Sequence, residues 1–515
     1  MEPIPARDLG AALACSSAPP APATKASPGA ATHPVSPGAA THPAAPPPLH
    51  STAAATASRD RFTRQLMVCL WCQFGFFYGM SPLVLPVAEA FGDVHSAQGG
   101  AFLFGAGIML ALINVISGAS ILFLPLTAAR CRRAAAAGMS AWLGGIALQA
   151  LAVRQRLMAP FLLSFVLLGG GMGVFNLYLH VTLTRVFWAH DVARAHATAG
   201  FWIGFGTIVH ALLFGVLPDA VGVVETLAAV GGLHAALLAH AWRAGFRHLD
   251  FYGEAAAGGG GGERGQSEAA ATPALALLRT WEMVGVLFVF AAFMFCGMAM
   301  KMLLSAVFEQ TLAMTHLQST YYSALCLCFY WLCRAVSPLL GREDRVLAPF
   351  FWVLLLECVA HALTPLAIAA QRSWLFTLFR ILSGGGFATL TSNITPLIAR
   401  MFGLADLHNA IAVASWFEPL AGTGAAVAWL MHVGHEGEVA ESYDLFFRLC
   451  SATVGVAAVV VAAVVRQRAA RRRAAAGAVP PAAQRRQRSH IASVKITAHT
   501  ARESANTSPF LLLPF

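Results

Sequence analysis

Three ionisable side chains stand where ionisable side chains are expensive. Arg334 lies in YWLCRAVSPLLG, Lys301 in GMAMKMLL and Glu418 in SWFEPLAG, each inside an otherwise apolar run. A charge in such surroundings is costly unless it is paired or used, so each is a functional hypothesis. Arginine suits a carboxylate partner, because its planar fork donates two parallel hydrogen bonds to the two oxygens. Glu418 precedes Pro419, whose ring and missing N–H kink a helix and open its backbone to a cavity. A carboxylate there is placed to take up and release a proton, with Lys301 as its natural cationic partner. The plainer alternatives are a static acid–base pair holding two helices, and an Arg334 that reaches the membrane rim. Gln73, Tyr78, Asn176, His180, Arg380, Asn393 and Trp416 are further polar or aromatic groups for lining a solute cavity, while Glu89 and Glu309 fall at the ends of runs and are expected at a mouth or rim.

The elements that must position these residues follow from composition. Of 515 residues, 57% are hydrophobic and 11% charged, and the mean hydropathy is +0.64. That excludes an ordinary soluble enzyme and predicts an all-α, polytopic membrane protein. The net charge of +10 would point to nucleic acid in a soluble chain, but here the arginines gather in short blocks between apolar segments, which is the pattern of membrane topology. The expected partners are the lipid bilayer and a small-molecule solute, with no nucleic acid, no cofactor and a monomeric chain. About twelve runs approach the length that spans a bilayer as a helix: 65–90, 98–126, 136–153, 158–182, 196–217, 221–243, 279–307, 317–339, 347–369, 374–399, 407–432 and 444–466.

The runs divide the chain into a low-complexity tail (1–58), a six-helix bundle (59–243), a flexible Gly-rich linker (244–278), a second six-helix bundle (279–466) and a basic tail (467–515). The first tail carries SPGAATHP twice, at 27–34 and 36–43, and lacks the apolar surface that would offset the entropy of ordering. It has no apolar signal-peptide core, so the first run is expected to act as the targeting signal. Arginines at 59, 61, 64, 130, 132, 133, 185, 194, 342 and 345 and between 466 and 473 fall on one side of a twelve-helix scheme, and Asp93, Asp219, Glu225, Glu436, Glu438 and Glu441 on the other, with Arg154, Arg156 and Arg372 as exceptions there. By the positive-inside tendency both termini and the linker are cytoplasmic. The ten cysteines are scattered, and Cys69 with Cys72 on one apolar run reads as packing rather than redox chemistry. His432, His435, Glu436 and Glu438 form a solvated outer-loop cluster that could collect a divalent cation; no ligand set for a resident metal stands inside the runs.

A glycine cluster shows how the two bundles are related. LLGGGMGVFNLYLHVTLTRVFW (167–188) lies without a gap on LSGGGFATLTSNITPLIARMFG (382–403) when the chain is slid by 215 positions. Gly169, Gly170 and Gly171 fall on Gly384, Gly385 and Gly386, Arg185 on Arg400, Asp191 on Asp406, and Arg130 on Arg345. Neither cluster has the Gly-Lys-Ser/Thr ending of a phosphate loop, so the glycines are expected to let helices touch. Two parallel six-span halves joined by a long linker are the signature of repeats about an axis along the membrane normal, and here the chain resembles the major facilitator superfamily. LLGREDRVL (339–347) is similar to the superfamily's cytoplasmic loop motif, with Gly341, Asp344 and Arg345; its first-half counterpart LPLTAARCRR (124–133) keeps the basic residues and lacks the Gly and the acid. Arg130, Arg185, Asp191, Arg400 and Asp406 are the matching gate residues.

Within the superfamily, FGFFYGMSPLVLPVAEAFG (74–92) and residues 384–422 resemble monocarboxylate and oxalate/formate-type carriers. That resemblance places Arg334 where those carriers pair an arginine with substrate carboxylate. Two departures stand out: the acid expected four residues earlier is Tyr330, and the lysine expected in span eleven gives way to the region of Ser415, Trp416 and Phe417. The resemblance implies a secondary carrier working by alternating access, with a small organic anion bound by Arg334 and Lys301 and proton coupling through Glu418. The alternatives are a cation or metal carrier of nodulin-like type, or a receptor or scaffold that keeps the fold without transporting.

Overall fold

The computed structural model describes residues 49–92, 128–187, 192–248, 274–340, 348–415, 424, 427–428 and 439–478, and every regular element among them is helical. In chain order these are α1 (Leu49–Gly79), α2 (Val84–Phe91), α3 (Ala128–Gln155), α4 (Met158–Phe187), α5 (Val192–Val221), α6 (Val223–Ala244), α7 (Ala274–Leu277), α8 (Trp281–Phe293), α9 (Ala299–Leu312), α10 (His316–Leu340), α11 (Ala348–Ala369), α12 (Ser373–Ser415) and α13 (Val439–Ala478). Thr52–Phe515 forms one compact unit; of the other, Met1–Ser51, only the first turn of α1 is described. Seven described stretches are long and apolar enough to cross a membrane, or eight when the bent pair α1–α2 is counted as one. The expected second run, most of the eleventh and the linker's centre lie outside the described residues.

Two expected spans are broken. The first bends by 47° between Gly79 and Ser81, where Pro82 opens a 3-10 turn, Ser81–Leu83, because it has no N–H to continue the α-helical ladder. The seventh carries a π turn, Met294–Met298, between α8 and α9. One expected loop does not exist: α12 runs 43 residues and fuses the tenth run to the start of the eleventh. Its segment Leu404–Ala410 holds helix formers and no proline, and Leu407, Ala410 and Ile411 are buried against Leu277, Met283 and Val286 of α7 and α8, so packing holds the helix where the loop was expected.

The 215-residue offset recurs in three dimensions. α4 starts at Met158 and α12 at Ser373. Arg156 (φ 54°) and Gln371 (φ 51°) are left-handed residues in the turns just before them. Each turn closes in the same way: Leu157 N–H donates to Ala152 O (2.9 Å) and Arg156 N–H to Val153 O (3.1 Å), while Arg372 N–H donates to Ala367 O (3.0 Å) and Gln371 N–H to Ile368 O (2.9 Å). This is the Schellman pattern of helix termination. Beyond the turns, a Cβ on Gly171 would stand 2.6 Å from Gly138 O and 3.0 Å from Trp142 N. A Cβ on Gly386 would meet Val353 Cγ1 at 3.2 Å and Glu357 Oε2 at 3.5 Å. Gly385 faces Cys333 Sγ at 3.2 Å and Gly384 has only an ordinary contact with Tyr330. Gly169 and Gly170 immediately precede Gly171 in α4, and both clusters are helical rather than looped.

Inside the first half a hydrogen-bond chain fixes two histidines. Trp142 Nε1–H donates to His234 Nδ1 (3.1 Å), so the His234 proton sits on Nε2 and is given to His210 Nε2 (2.8 Å), leaving His210 Nδ1–H to donate to Gly206 O (2.7 Å). All three side chains are buried, and α3, α5 and α6 are thereby linked. Glycines bring α1 onto α5: a Cβ on Gly75 would lie 2.7 Å from Gly206 C, whereas one on Gly232 would meet nothing within 4 Å. The halves meet chiefly along α5 and α10. Gly200, Gly204 and Gly215 of α5 leave room for Arg334, Trp331 and Thr320, a small-residue stripe of the kind that lets membrane helices approach closely.

At the acidic end of this contact His316, one residue before its apolar run, lies 3.0 Å through Nδ1 from Glu309 Oε1, which also accepts from Ser319 Oγ at 2.5 Å. The Glu309 hydrogen bond pushes the His316 pKa above its usual 6.5, and the charges of Asp219 and Glu89 from the first half act in the same direction.

Two outcomes follow. Gly75→Ala is expected to destabilise the protein by about 1–3 kcal/mol through overpacking against backbone, seen as a lower thermal midpoint in detergent, while Gly232→Ala leaves the midpoint level or slightly higher. The His316 interaction contributes in full below the unfolded pKa of 6.5 and is lost as pH rises through the higher folded value. The wild-type midpoint should therefore fall across a pH step above 6.5 that His316→Gln does not show.

Candidate functional site

Lys301 and Arg334 come together at the meeting of the halves. Lys301 is on α9, one turn past the π turn; Arg334 is on α10; both are buried, with Arg334 only 4% exposed. Lys301 Nζ lies 3.0 Å from the centroid of the Tyr330 ring, 4.1 Å from that of Phe387 and 4.8 Å from that of Tyr78. Arg334 Nη1 donates to Tyr330 Oη, and the guanidinium carbon lies 5.8 Å from both tyrosine rings. The two cations thus share the rings of Tyr78, from the first half, and Tyr330, from the second. A ring face stabilises a desolvated cation by about 2 kcal/mol, and no carboxylate among the described residues hydrogen-bonds either group. Among those residues Lys301 Nζ and Arg334 Nε have no hydrogen-bond partner.

Local sequence explains the placement. Tyr330 and Arg334 are four residues apart, one helical turn, so the tyrosine hydroxyl sits against the arginine. Gly297, inside the π turn, leaves the space filled by Phe387: a Cβ there would stand 2.3 Å from the ring. Short π insertions of this kind recur at functional sites. Gly200 gives Arg334 room from the other half, since a Cβ would lie 2.6 Å from the Arg334 carbonyl oxygen. Ser81, in the break of the first span, accepts from Ser305 N–H (3.0 Å), and Ser305 Oγ meets Ser323 Oγ at 3.1 Å. The first break, α9 and α10 are therefore tied together beside the cations.

The other expected residues divide. Tyr78 joins the site. Gln73 is buried on α1, and neither amide atom has a hydrogen-bond partner. Asn393 donates to Ser337 Oγ (3.2 Å) and Thr389 O (2.7 Å), stitching α12 to α10. Arg380 belongs to a second buried cluster with His361 and Thr364. Asn176 and His180 are on α4, Arg130 on α3, Arg185 on α4, Arg400 and Asp406 on α12. Trp416, Glu418, Gly341, Asp344, Arg345 and Asp191 lie outside the described residues, as does the outer-loop His/Glu cluster. The pairing expected between Lys301 and Glu418 therefore has no described counterpart, and Lys301 instead faces Tyr330.

Sequence reading passed over Glu357 and His361, which are fully buried on α11. The signal was present: WVLLLECVAH sets an acid and a histidine four residues apart inside the ninth apolar run, the same criterion that singled out Arg334. His210 and His234 were passed over too, because each is a single polar residue whose partners come from other helices.

No family model matches the chain, and no curated protein matches it. Among solved structures it is similar to a bacterial homologue of the iron transporter ferroportin, in an outward-facing state with soaked iron, with a TM-score of 0.57 and 13% identity over 78% of this chain and 98% of that one. It is also similar to the human organic anion transporter MFSD10 (TETRAN), with a TM-score of 0.51 and 15% identity over 78% of this chain and 99% of that one. With its two parallel helical repeats and its membrane-length helices, the chain has the polytopic major facilitator fold.

Proposed function

We propose that the chain is a secondary carrier that moves a small organic anion by alternating access, with the anion held between Lys301 and Arg334 at the meeting of the halves. The observation that carries this reading is the pair of buried cations sharing two tyrosine rings, with no carboxylate among the described residues hydrogen-bonded to either. Bringing like charges together out of water is unfavourable, and an anion between them removes much of that cost. A carboxylate also gives the free donors of Lys301 Nζ and Arg334 Nε the acceptors they lack. The tyrosine hydroxyls add specificity by orienting the arginine fork. The organic anion transporter among the similar folds is consistent with this reading. A metal cation, as in the other neighbour, would meet repulsion from both side chains, so the cation-carrier alternative finds less support at this site.

The test is uptake of labelled pyruvate into proteoliposomes. Arg334→Ala and Lys301→Ala should each cost about 1.5–3 kcal/mol of transition-state or binding energy, roughly ten- to a hundredfold in uptake at low substrate. Tyr330→Phe, which removes the acceptor for Arg334, should raise KM more than it lowers the maximal rate. Undiminished uptake in Arg334→Ala would remove the site from the account. Binding without uptake in the wild type would favour the receptor reading.

A further inference from the structure

The second half contains a polar cluster that its repeat partner lacks. Glu357 Oε1 accepts from Ser383 Oγ at 3.3 Å and lies 3.7 Å from His361 Nε2, while Oε2 has no hydrogen-bond partner. Arg380 of α12 closes the far side: Nη1 is 3.5 Å from His361 Nδ1, Nη2 donates to Thr364 Oγ1 and to Ala360 O (3.4 Å), and the guanidinium carbon lies 4.9 Å from the Phe447 ring centroid. Glu357, His361, Arg380 and Ser383 are all buried.

The 215-residue offset supplies an internal control. The positions equivalent to Glu357, His361, Arg380 and Ser383 are Trp142, Ile146, Phe165 and Leu168, which are buried in the first half's apolar core. The same glycine contact accompanies both sets, Gly171 on Trp142 and Gly386 on Glu357. One copy of the fold therefore fills these four positions without an ionisable side chain, so packing does not require an acid, a histidine and an arginine there. Ionisable groups at membrane depth are expensive, and this set needs a reason other than packing.

We propose that Glu357 is the proton-carrying group of the carrier, binding one proton as the anion enters between Lys301 and Arg334 and releasing it once the anion has left. This rests on the anion reading above. The groups around the carboxylate are His361 on its own helix, Ser383 and Arg380 from α12, Lys301 and Cys296 from the seventh span, and Cys450 from α13 beside Arg380. Lys301 is the link to the substrate: its ammonium lies 4.1 Å from the centroid of the Phe387 ring, and the neighbouring Gly386 packs against Glu357. While Glu357 is ionised, its charge offsets that of Lys301. Once the proton has formed the neutral acid, Lys301 and Arg334 present their full charge to the solute. One proton and one monoanion then add no net charge to the buried interior, which is the condition for moving both together. Ser383 serves either state, since its hydroxyl donates to the carboxylate and can accept from the acid.

The experiment uses the full chain, with pyruvate as probe. Infrared difference spectra of the purified protein should show a protonated-carboxyl band that titrates in the wild type and in the control Asp444→Asn, and that is missing in Glu357→Gln. In proteoliposomes Glu357→Gln should lose pH-gradient-driven accumulation by roughly tenfold or more, and its pyruvate exchange at equal pH should become indifferent to pH. Glu357→Asp, which keeps the carboxylate, guards against misfolding: it should restore a band and a pH dependence, both displaced along the pH axis. A titrating band that survives in Glu357→Gln, or gradient-driven accumulation that survives in it, overturns the proposal. Failure of the anion reading looks different: the Glu357 band titrates, but pyruvate neither shifts it nor exchanges, and the coupling to an anion is then overturned with that reading.

Discussion

The arrangement turns on Lys301 and Arg334, two basic side chains held close together and out of water. Neither cation has an acid within hydrogen-bond reach among the described residues; the compensation comes from the faces of Tyr78, Tyr330 and Phe387, from the Tyr330 hydroxyl and, further off, from Glu357. Such compensation is partial. Two incompletely paired basic side chains thus stand where the halves meet, and because Tyr78 comes from one half and Tyr330 from the other, their compensation is shared across that surface.

Much of the surrounding structure makes this possible. The bend at Ser81 and the π turn at Met294–Met298 put irregular backbone beside the cations, where a cavity-lining position tolerates it. Gly200 and Gly297 are absences of side chain that admit Arg334 and Phe387. The first half, with its neutral Trp142–His234–His210 chain, reads as a stiff partner, and the second half holds most of the ionisable chemistry.

The sequence was legible where the signal was local or repeated. Apolar length predicted the membrane helices, and the Gly-Gly-Gly, Arg, Asp series gave an offset that the paired turns at Arg156 and Gln371 reproduce. Arg334 and Lys301 were found because charge inside an apolar run is conspicuous. What stayed hidden were the partners: that Lys301 would lie over the rings of Tyr78, Tyr330 and Phe387 is a fact of packing between helices far apart in sequence. The loop expected near residues 400–406 failed because a basic residue and a glycine were weighted over helix formers that α7 and α8 bury. Glu357 was passed over although it meets the same criterion, charge inside an apolar run, that singled out Glu418, a residue outside the described ones. Only comparison with the apolar copy, Trp142, shows how unusual Glu357 is.

The most direct measurement is a structure of the protein solved with a small monocarboxylate present. The account predicts ligand density between Lys301 Nζ and Arg334, within hydrogen-bond distance of both and bordered by Tyr78 and Tyr330. Density elsewhere with these cations unchanged, or a metal ion seated at Glu357 and His361, would contradict it.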